Sequence, residues 1–272
     1  METKLAFIIL VYRNPEDLKI SVISIKEKVK HNYSIYVVES YSDDECSEQT
    51  IKICNDLKIS YISVPNKGYG YGNNEGIKYA LESDQISHFV IMNPDTRIDK
   101  FEANRKVLDK NHLIAPLIKS HRTNYYQNPI QTLNLPIVER IYYEGFKRDS
   151  YLLRLIPRII HKILNIISVA LFRYFSKDSE KSIFACHGSF FIISKKAVEL
   201  LGEIFDDNMF LNFEELLLAH RLRSVGIRTV LTKSIEITHF EDSSMDKSDL
   251  NNSQIDSIAR DSFLYYYEKL NK

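Results

Sequence analysis

Short runs rich in apolar residues alternate with amphipathic segments along the first half of the chain. The apolar runs occupy residues 5–11, 33–38, 59–64 and 89–92. Runs of this length predict strands that are covered on both faces. The segments between the first three runs have helical periodicity, and Asn14-Pro15 has the composition of a helix start. This β-α-β-α-β alternation predicts an α/β fold with a mostly parallel sheet, flanked by helices and joined by right-handed crossovers.

The second half of the chain continues the alternation less regularly. It predicts helices over 98–108, 195–201, 214–226 and 256–270, and strands over 113–118, 190–193, 227–231 and 235–239. No internal repeat or low-complexity linker divides the chain. We therefore predict one domain over residues 1–272, with a helical insertion at 120–182 and a C-terminal helical tail at 240–272.

Residues 151–175 form the most apolar segment of the predicted insertion. Arg154, Arg158, Lys162 and Arg173 interrupt it, which argues against a membrane-spanning helix. One interpretation is an amphipathic helix, or a pair broken near Pro157, that lies on a membrane surface. The other is a helix that packs on the protein's own core and keeps its basic side chains in water.

Composition narrows the classes of protein to which the chain can belong. It has 272 residues, 44% apolar and 26% charged, with a formal net charge of zero. The absence of a basic excess argues against nucleic-acid binding. The three cysteines are not in metal-type spacing and predict reduced thiols. The first apolar run is too short for a signal peptide, so we expect a cytoplasmic protein, with peripheral attachment to the inner face of the cell membrane as an option.

Polar side chains follow two of the predicted strands where each strand ends. Asn93-Pro94-Asp95 follows the run at 89–92, and Glu39 ends the run at 33–38 with Asp44 close behind. Ligands of open α/β sheets bind outside the carboxyl ends of the strands. Asp95 is therefore expected to meet solvent, a metal or a ligand there, although aspartate also serves simply to form turns.

Half of the chain's eight glycines fall in residues 66–76. A glycine-rich turn that opens a helix exposes unpaired N–H groups and suits anionic groups. The spacing is neither that of a dinucleotide fingerprint nor that of a P-loop. The alternative is a flexible loop that merely turns the chain.

Five motifs together resemble a known enzyme family. They are VVESYSDD at 37–44, NKGYG at 66–70, NPD at 93–95, GSFF at 188–191, and a segment that runs from FD at 205–206 to FEE at 213–215, with Arg221 and His239 further on. In this order and approximate spacing they resemble the GT-A glycosyltransferases of inverting family two, especially bacterial rhamnosyltransferase-like members. The resemblance spans most of the chain apart from about 120–182.

The resemblance implies a nucleotide site along the first strands. Glu39 stands at the position that contacts the donor's nucleobase, where the family usually has aspartate, and Asp44 ends the same turn. Asn66, Gly68 and Asn74 match the loop and helix start near the nucleotide.

The resemblance also implies a metal site and a catalytic base. Asn93 and Asp95 occupy the two ends of the family's Asp-x-Asp motif, which holds a divalent metal against the donor's diphosphate. His239 matches a histidine near that metal or the diphosphate. Glu214 and Glu215 match an acidic pair that contains the base, and either of them qualifies for that role.

The implied reaction moves rhamnose or a hexose, with inversion, from a dTDP- or UDP-linked donor to a lipid-linked or polysaccharide acceptor in bacterial capsule or cell-wall synthesis. Mg²⁺ or Mn²⁺ would neutralise the diphosphate, and a carboxylate would deprotonate the attacking hydroxyl. The chain departs from the family pattern at Glu39, Asn93, Glu215 and Leu217. The alternative hypothesis is therefore a non-catalytic relative that binds a nucleotide or a partner enzyme.

Overall fold

A computed structural model describes residues 3–83, 85–241 and 251–271. Within these ranges the strands are β1 (Lys4–Val11), β2 (Asn32–Ser40), β3 (Ser60–Val64), β4 (His88–Met92), β5 (Thr96–Phe101), β6 (His112–Ser120), β7 (Glu180–Ile183), β8 (Phe190–Ser194) and β9 (Arg228–His239). The α-helices are α1 (Leu18–Lys28), α2 (Asp44–Leu57), α3 (Tyr69–Ser83), α4 (Arg105–Leu108), α5 (Pro136–Lys147), α6 (Tyr151–Ala170), α7 (Lys195–Leu201), α8 (Glu214–Ser224) and α9 (Asn252–Leu270). A π-helical turn, Leu171–Phe175, extends α6.

All of these strands belong to one sheet, in the order β3-β2-β1-β4-β8-β6-β9-β5, with β7 paired to β9. The pairs β3·β2, β2·β1 and β1·β4 are parallel, while β4·β8, β8·β6 and β9·β5 are antiparallel. The α/β fold with flanking helices is thus confirmed. The sheet is parallel where strands and helices alternate in sequence and mixed elsewhere, because only crossover helices enforce parallel pairing.

Two apolar layers cover the two faces of the sheet. On one face, side chains of β1 such as Ile8 and Leu10 pack with α3, α7 and α8. On the other face, Phe7 and Ile9 pack with α1 and α2. This alternation along β1 explains why its sequence is apolar throughout rather than at every second position.

The predicted helix over 98–108 is wrong. The structure has strand β5 up to Phe101, followed by the short helix α4, whose N-cap is Asn104. Along β5 the buried Thr96 and Ile98 alternate with the exposed Arg97 and the solvent-facing Asp99. This period of two suits a strand paired to β9. The two short strands predicted over 227–239 are likewise a single strand, β9.

The glycine-rich segment is helical from Tyr69 onward, earlier than the predicted start near Asn74. Its glycines let α3 lie directly against the sheet. A Cβ atom added to Gly72 would lie 2.4 Å from Leu10 Cδ1, and one added to Gly76 would lie 2.6 Å from both Ile8 Cγ2 and Val38 Cγ2. Close packing of helix on sheet therefore accounts for these two glycines.

Helices α5 and α6 lie in the segment predicted as an insertion, and α9 lies in the predicted tail. Helices α5 and α9 share a third apolar cluster with α8, which includes Phe146, Phe263, Tyr266 and Leu216. The division into domain, insertion and tail stays a prediction, and residues 242–250 of the predicted tail lie outside the described ranges.

The helical stretch Tyr151–Phe175 is long and apolar enough to cross a membrane by length and composition alone. The expectation that its charges exclude a span is therefore not supported by composition, because Arg154 and Arg173 lie near its ends. Only 28% of its most apolar 18-residue window is buried within the protein, so most of this stretch faces outward.

We predict that Gly76→Ala destabilises the protein although alanine is the better helix former. The added methyl group meets two β-branched side chains that cannot rotate away, and such overpacking costs about 1–3 kcal/mol. Urea denaturation measures the change in the free energy of unfolding. Lys78→Ala is the matched control, since this side chain on the same helix is 67% exposed. A more stable Gly76→Ala variant would show that α3 is not held this close to the sheet.

Candidate active site

A cavity of about 910 Å³ opens at the carboxyl ends of β1, β2 and β4. Seven of the residues singled out from the sequence line it: Asn66, Gly68, Asn93, Asp95, Glu214, Glu215 and His239. The structure therefore brings most of the predicted site residues to one place, although their positions span most of the chain.

Glu39 and Asp44 do not line this cavity. The Glu39 carboxylate is fully buried and accepts hydrogen bonds from Tyr61 Oη and from Ser47 Oγ, the latter at 2.8 Å. Asp44 is exposed and accepts a hydrogen bond from Tyr41 Oη at 2.9 Å. The side chain of Glu39 therefore links β2 to β3 and α2 and does not reach the cavity.

Asn74 does not line the cavity either, and its side chain forms hydrogen bonds with the chain segment at 205–207. Its side-chain amide donates to the carbonyl oxygen of Phe205 at 3.1 Å, and its oxygen accepts from Phe205 N at 3.2 Å. It donates as well to Asp207 Oδ1 at 2.9 Å. Asn74 thus fixes the chain that leads toward α8.

Asp95 and His239 form a buried polar pair that lines the cavity. His239 Nε2 lies 3.2 Å from Asp95 Oδ2, and Asp95 Oδ1 is buried with no hydrogen-bond partner among the described residues. His239 Nδ1 lies 2.8 Å from Gln127 Oε1, and Gln127 is oriented by donating its amide to Glu241 Oε1 at 2.6 Å. Both nitrogens of His239 therefore face oxygen atoms of neighbouring side chains.

His187 is a cavity residue that the sequence analysis did not single out. Its Nδ1 accepts a hydrogen bond from Ser189 N at 3.1 Å, and its ring centroid lies 5.5 Å from that of His239. Burial, together with the neighbouring His239, lowers the pKa of His187 to about 3. His187 is consequently neutral at physiological pH and carries its proton on Nε2.

Glu214 and Glu215 open helix α8 beside the turn formed by His187, Gly188 and Ser189. Glu215 Oε1 accepts a hydrogen bond from Gly188 N at 3.0 Å. Burial raises the pKa of Glu215, while backbone N–H groups lower it in part. Burial and the neighbouring Glu215 raise the pKa of Glu214 well above its usual range, and Glu214 Oε1 has no partner among the described residues. Glu214 therefore holds a proton more readily than Glu215 does.

The chain enters α8 through two consecutive residues in the left-handed region. Asn212 has φ 74° and Phe213 has φ 68°. A bulky residue in this region costs on the order of 1–3 kcal/mol and persists only where surrounding contacts fix it. Phe213 packs against Phe263 of α9 at a ring distance of 5.0 Å, and Ser262 Oγ donates to Leu211 O at 2.8 Å. Helix α9 thus holds the loop that aims the two glutamates.

Asn66, Gly68 and Asn93 lie on the wall formed by the strand ends. Asn66 Oδ1 accepts a hydrogen bond from Ser40 Oγ at 3.1 Å. Gly68 has φ 108°, and a Cβ atom there would lie 2.3 Å from Phe210 O. Only glycine fits this position without displacing the chain before α8.

Gly188 and Ser189 belong to the GSFF motif, but the sequence predicted no place in the site for the turn at 187–189 and left His187 out, because the direction of the following strand was not predicted. The turn precedes β8, so it reaches the carboxyl edge of β4 only because β8 runs antiparallel to β4. An apolar run does not reveal its direction in the sheet. The sequence signals were the GSFF motif and the polar residues immediately before the apolar run.

Comparison with known proteins identifies a family. The profile of glycosyl transferase family 2 matches residues 6–201. The low-salt glycan biosynthesis hexosyltransferase Agl10 of Haloferax volcanii is 26% identical over 240 residues, which cover 86% of this chain and 66% of that protein. An uncharacterized glycosyltransferase of Rickettsia conorii, RC0461, is 27% identical over 130 residues, or 45% of this chain and 20% of that protein. The chain thus spans 66% and 20% of the lengths of these relatives.

One solved structure shares the fold at low sequence identity. The crystal structure of GalNAc-T7 with UDP, GalNAc and Mn²⁺ superposes with a TM-score of 0.59 at 12% identity, and the match covers 88% of this chain and 43% of that one. At this identity the likeness shows the GT-A-like fold alone.

We predict that Glu214→Gln stabilises the protein, and more so as pH rises. The pKa of Glu214 is raised above 4.5 in the folded state, so the unfolded state releases this proton at a lower pH than the folded state does. The contribution of Glu214 to the free energy of unfolding is therefore highest below pH 4.5 and is lost as pH rises through the folded pKa. Glutamine removes this loss, and we expect a gain of about 1 kcal/mol or more at neutral pH. Urea denaturation over a pH series tests this. Glu203→Gln, at an exposed position, is the control, and a loss of stability in Glu214→Gln at neutral pH would contradict the assignment.

Proposed function

We propose, from the premise that the chain belongs to glycosyl transferase family 2, that it transfers a sugar from a nucleotide-diphosphate donor to a hydroxyl group of a glycan acceptor, with inversion. One observation carries this proposal. A buried acid–histidine pair, Asp95 with His239, and an acidic pair, the buried Glu214 with the partly exposed Glu215, line the same cavity. Asp95 and His239 suit a cation that binds the charged leaving group. The two glutamates suit a base that deprotonates the attacking hydroxyl.

The residues at Asp95 and His239 fit a divalent cation. Asp95 Oδ1 is a buried carboxylate oxygen without a partner among the described residues, and His239 presents Nε2 beside the same carboxylate. The described residues contain no group of three or more His, Cys, Asp or Glu side chains able to hold a metal. Asp95 and His239 would therefore hold Mg²⁺ or Mn²⁺ together with diphosphate oxygens and water. When bound, the cation would neutralise the charge that develops on the diphosphate.

Glu215 is the residue we assign as the base. A base must be ionised, and Glu215 has a backbone N–H bond from Gly188 that favours the carboxylate. It also lies in the first turn of α8, where the helix dipole favours negative charge. Glu214 has the more strongly raised pKa and no such bond at Oε1, which suits a protonated neighbour.

In the proposed step, Glu215 takes the proton of the acceptor hydroxyl as that oxygen bonds to the anomeric carbon. The bond between the anomeric carbon and the diphosphate oxygen breaks at the same time, and the nucleoside diphosphate leaves with the electron pair. Glu215 is bonded to Gly188 of the turn at 187–189, and His187 of the same turn lies beside His239, so Glu215 and His239 are both near one turn. Attack and departure on opposite sides of the sugar would invert its configuration.

The finer identity of the substrates rests on sequence resemblance. The name of Agl10 supports a hexose, and the NPD motif at 93–95 supports rhamnose. We propose a UDP- or dTDP-linked donor and a lipid-linked or polysaccharide acceptor, in the synthesis of a bacterial capsule or cell-wall polysaccharide. The corresponding location is the cytoplasmic face of the cell membrane.

We predict that a nucleotide stabilises the protein only together with a divalent cation. A ligand present at about 100 times its Kd adds about 2.7 kcal/mol to the folded state, which corresponds to a rise of several degrees in Tm. Thermal shift with UDP, dTDP and GDP, each with and without Mn²⁺ or Mg²⁺, measures this rise.

Asp95→Asn should abolish the dependence on the cation, whereas Asp178→Asn, at an exposed position, should keep it. An equal rise in Tm without any cation, or in Asp95→Asn, would exclude the proposed metal site. If no nucleotide changes Tm, the result supports the alternative of a non-catalytic relative. The burial of Glu39, which leaves it unavailable to a nucleobase, would agree with that result.

We predict that Glu215→Gln lowers kcat/KM for the release of nucleoside diphosphate in the presence of acceptor by about 10²–10⁴, the usual contribution of a general base. Nucleotide binding should be unchanged. Because burial raises the pKa of Glu215 above 4.5 and only the ionised form accepts a proton, kcat/KM of the wild type should rise with pH through that raised pKa. Full activity in both Glu215→Gln and Glu214→Gln would refute a base at this position.

A further inference from the structure

Helix α6 exposes an apolar stripe and buries two polar residues, unlike an ordinary surface helix. Its buried positions include Asn165 and Ser168, whereas an apolar stripe on the opposite side is exposed. This stripe consists of Leu152, Ile156, Ile159, Ile163, Ile166 and Ile167, which are between 37% and 65% exposed. It continues into Leu171, Tyr174 and Phe175. A contiguous apolar face of this length marks an interaction surface.

Polar contacts, not apolar ones alone, fix the inner face of α6 to the protein. Asn165 Nδ2 donates to Pro129 O at 2.5 Å, and Lys181 Nζ donates to Ser168 Oγ at 2.8 Å. Near the start of the helix, Arg154 pairs with Asp256 at 2.7 Å. These contacts orient the helix so that the stripe points away from the domain.

The cations of this stretch favour a negatively charged partner. The stretch Tyr151–Phe175 carries no acidic residue, although the whole chain has no net charge. Arg158 and Lys162 are exposed beside the stripe, although Arg158 also donates to Tyr142 Oη at 2.9 Å and Lys162 lies over the Tyr125 ring. In the part of the chain that the structure describes, neither of these cations nor Arg173 has an ion pair with a carboxylate.

Two other occupants fit less well. A second copy of the chain would bring the cationic edge of one α6 against that of the other, which like charges oppose. A membrane-spanning position would expose Asn165 and Ser168 to hydrocarbon and break their bonds to the domain. A helix with an apolar face, a basic edge and a polar inner face suits the interface plane of a bilayer.

We propose that the exposed stripe of α6, with Arg158 and Lys162, docks this protein on an anionic lipid surface. The isoleucines enter the boundary between head groups and acyl chains, and the cations meet lipid phosphates. This inference deepens the proposed function, on which its purpose rests, by stating how a lipid-linked acceptor reaches the site.

The position of α6 relative to the cavity supports that purpose. The helix contacts Pro129, the next residue Ile130 lines the cavity, and Asn128 Oδ1 accepts a hydrogen bond from His187 N at 2.6 Å. A helix is about 10 Å across with its side chains. A lipid surface on the outer face of α6 would therefore lie about one helix width from the cavity wall.

The test is co-sedimentation of the full chain with vesicles of phosphatidylcholine, with and without phosphatidylglycerol, in the absence of any nucleotide. We expect binding to the anionic vesicles that weakens with added salt. Ile159→Asp with Ile163→Asp should lower the affinity more than about tenfold, because two apolar contacts are lost and two anions are added. Arg158→Glu with Lys162→Glu should lower it about 25-fold or more, at about fivefold per cation removed.

Ile20→Asp with Ile23→Asp is the matched control, since these isoleucines of α1 are 43% and 49% exposed. Its vesicle binding should equal that of the wild type. A wild type that does not sediment with anionic vesicles, or an unchanged Ile159→Asp, Ile163→Asp variant, would overturn the proposal. So would analytical ultracentrifugation that shows a dimer which this variant dissociates, because the stripe would then bind a second copy.

The outcomes separate docking from catalysis. Glu215→Gln should bind vesicles like the wild type, because it lies in the cavity. The Ile159→Asp, Ile163→Asp variant should retain the rise in Tm produced by nucleotide and cation, which also verifies that it folds. If nucleotide and cation do not raise the Tm of the wild type, the proposed function is refuted, whereas the vesicle-binding result still stands.

Discussion

The turn formed by His187, Gly188 and Ser189 is the contact on which the geometry of the cavity depends. Gly188 N donates to Glu215 at 3.0 Å, Gly188 O accepts from Tyr69 Oη at 2.8 Å, and Ser189 O accepts from Asn93 N at 2.8 Å. A Cβ atom at Gly188 would lie 2.3 Å from Glu215 Oε1. One backbone turn thus fixes the start of α8, the start of α3 and the end of β4 relative to one another, and only glycine leaves room for it.

This arrangement concentrates unfavourable groups that other parts of the fold must offset. The buried carboxyl of Glu214 and the left-handed backbone at Phe213 both oppose folding. Phe213, Phe263 and Phe146 pack together in the third apolar cluster, which lies directly beside the loop. Helix α9 therefore packs on the loop that precedes the two glutamates and holds that loop in place.

The sequence predicted the parallel half of the sheet well, since strand and helix periods alternate there and the crossovers follow from handedness. It predicted Asp95 at a strand end for the same reason. It did not predict that Glu39 turns to Tyr61 and Ser47, because a hydroxyl partner on a neighbouring strand leaves no local signal. It also missed His187, whose place depends on the direction of β8. Local patterns encode elements and their ends, whereas side-chain partners depend on which strands become neighbours.

The two regions where the chain departs from ordinary patterning are joined by one short segment. Acids are buried in the cavity, and isoleucines are exposed along α6. Between them, Asn128 binds His187 N and Pro129 O binds Asn165 of α6. Local rules are usually broken at functional sites, because stability alone would favour the reverse arrangement. The proposed docking surface and the proposed diphosphate site are therefore connected through Asn128 and Pro129, although no side chain of α6 lines the cavity.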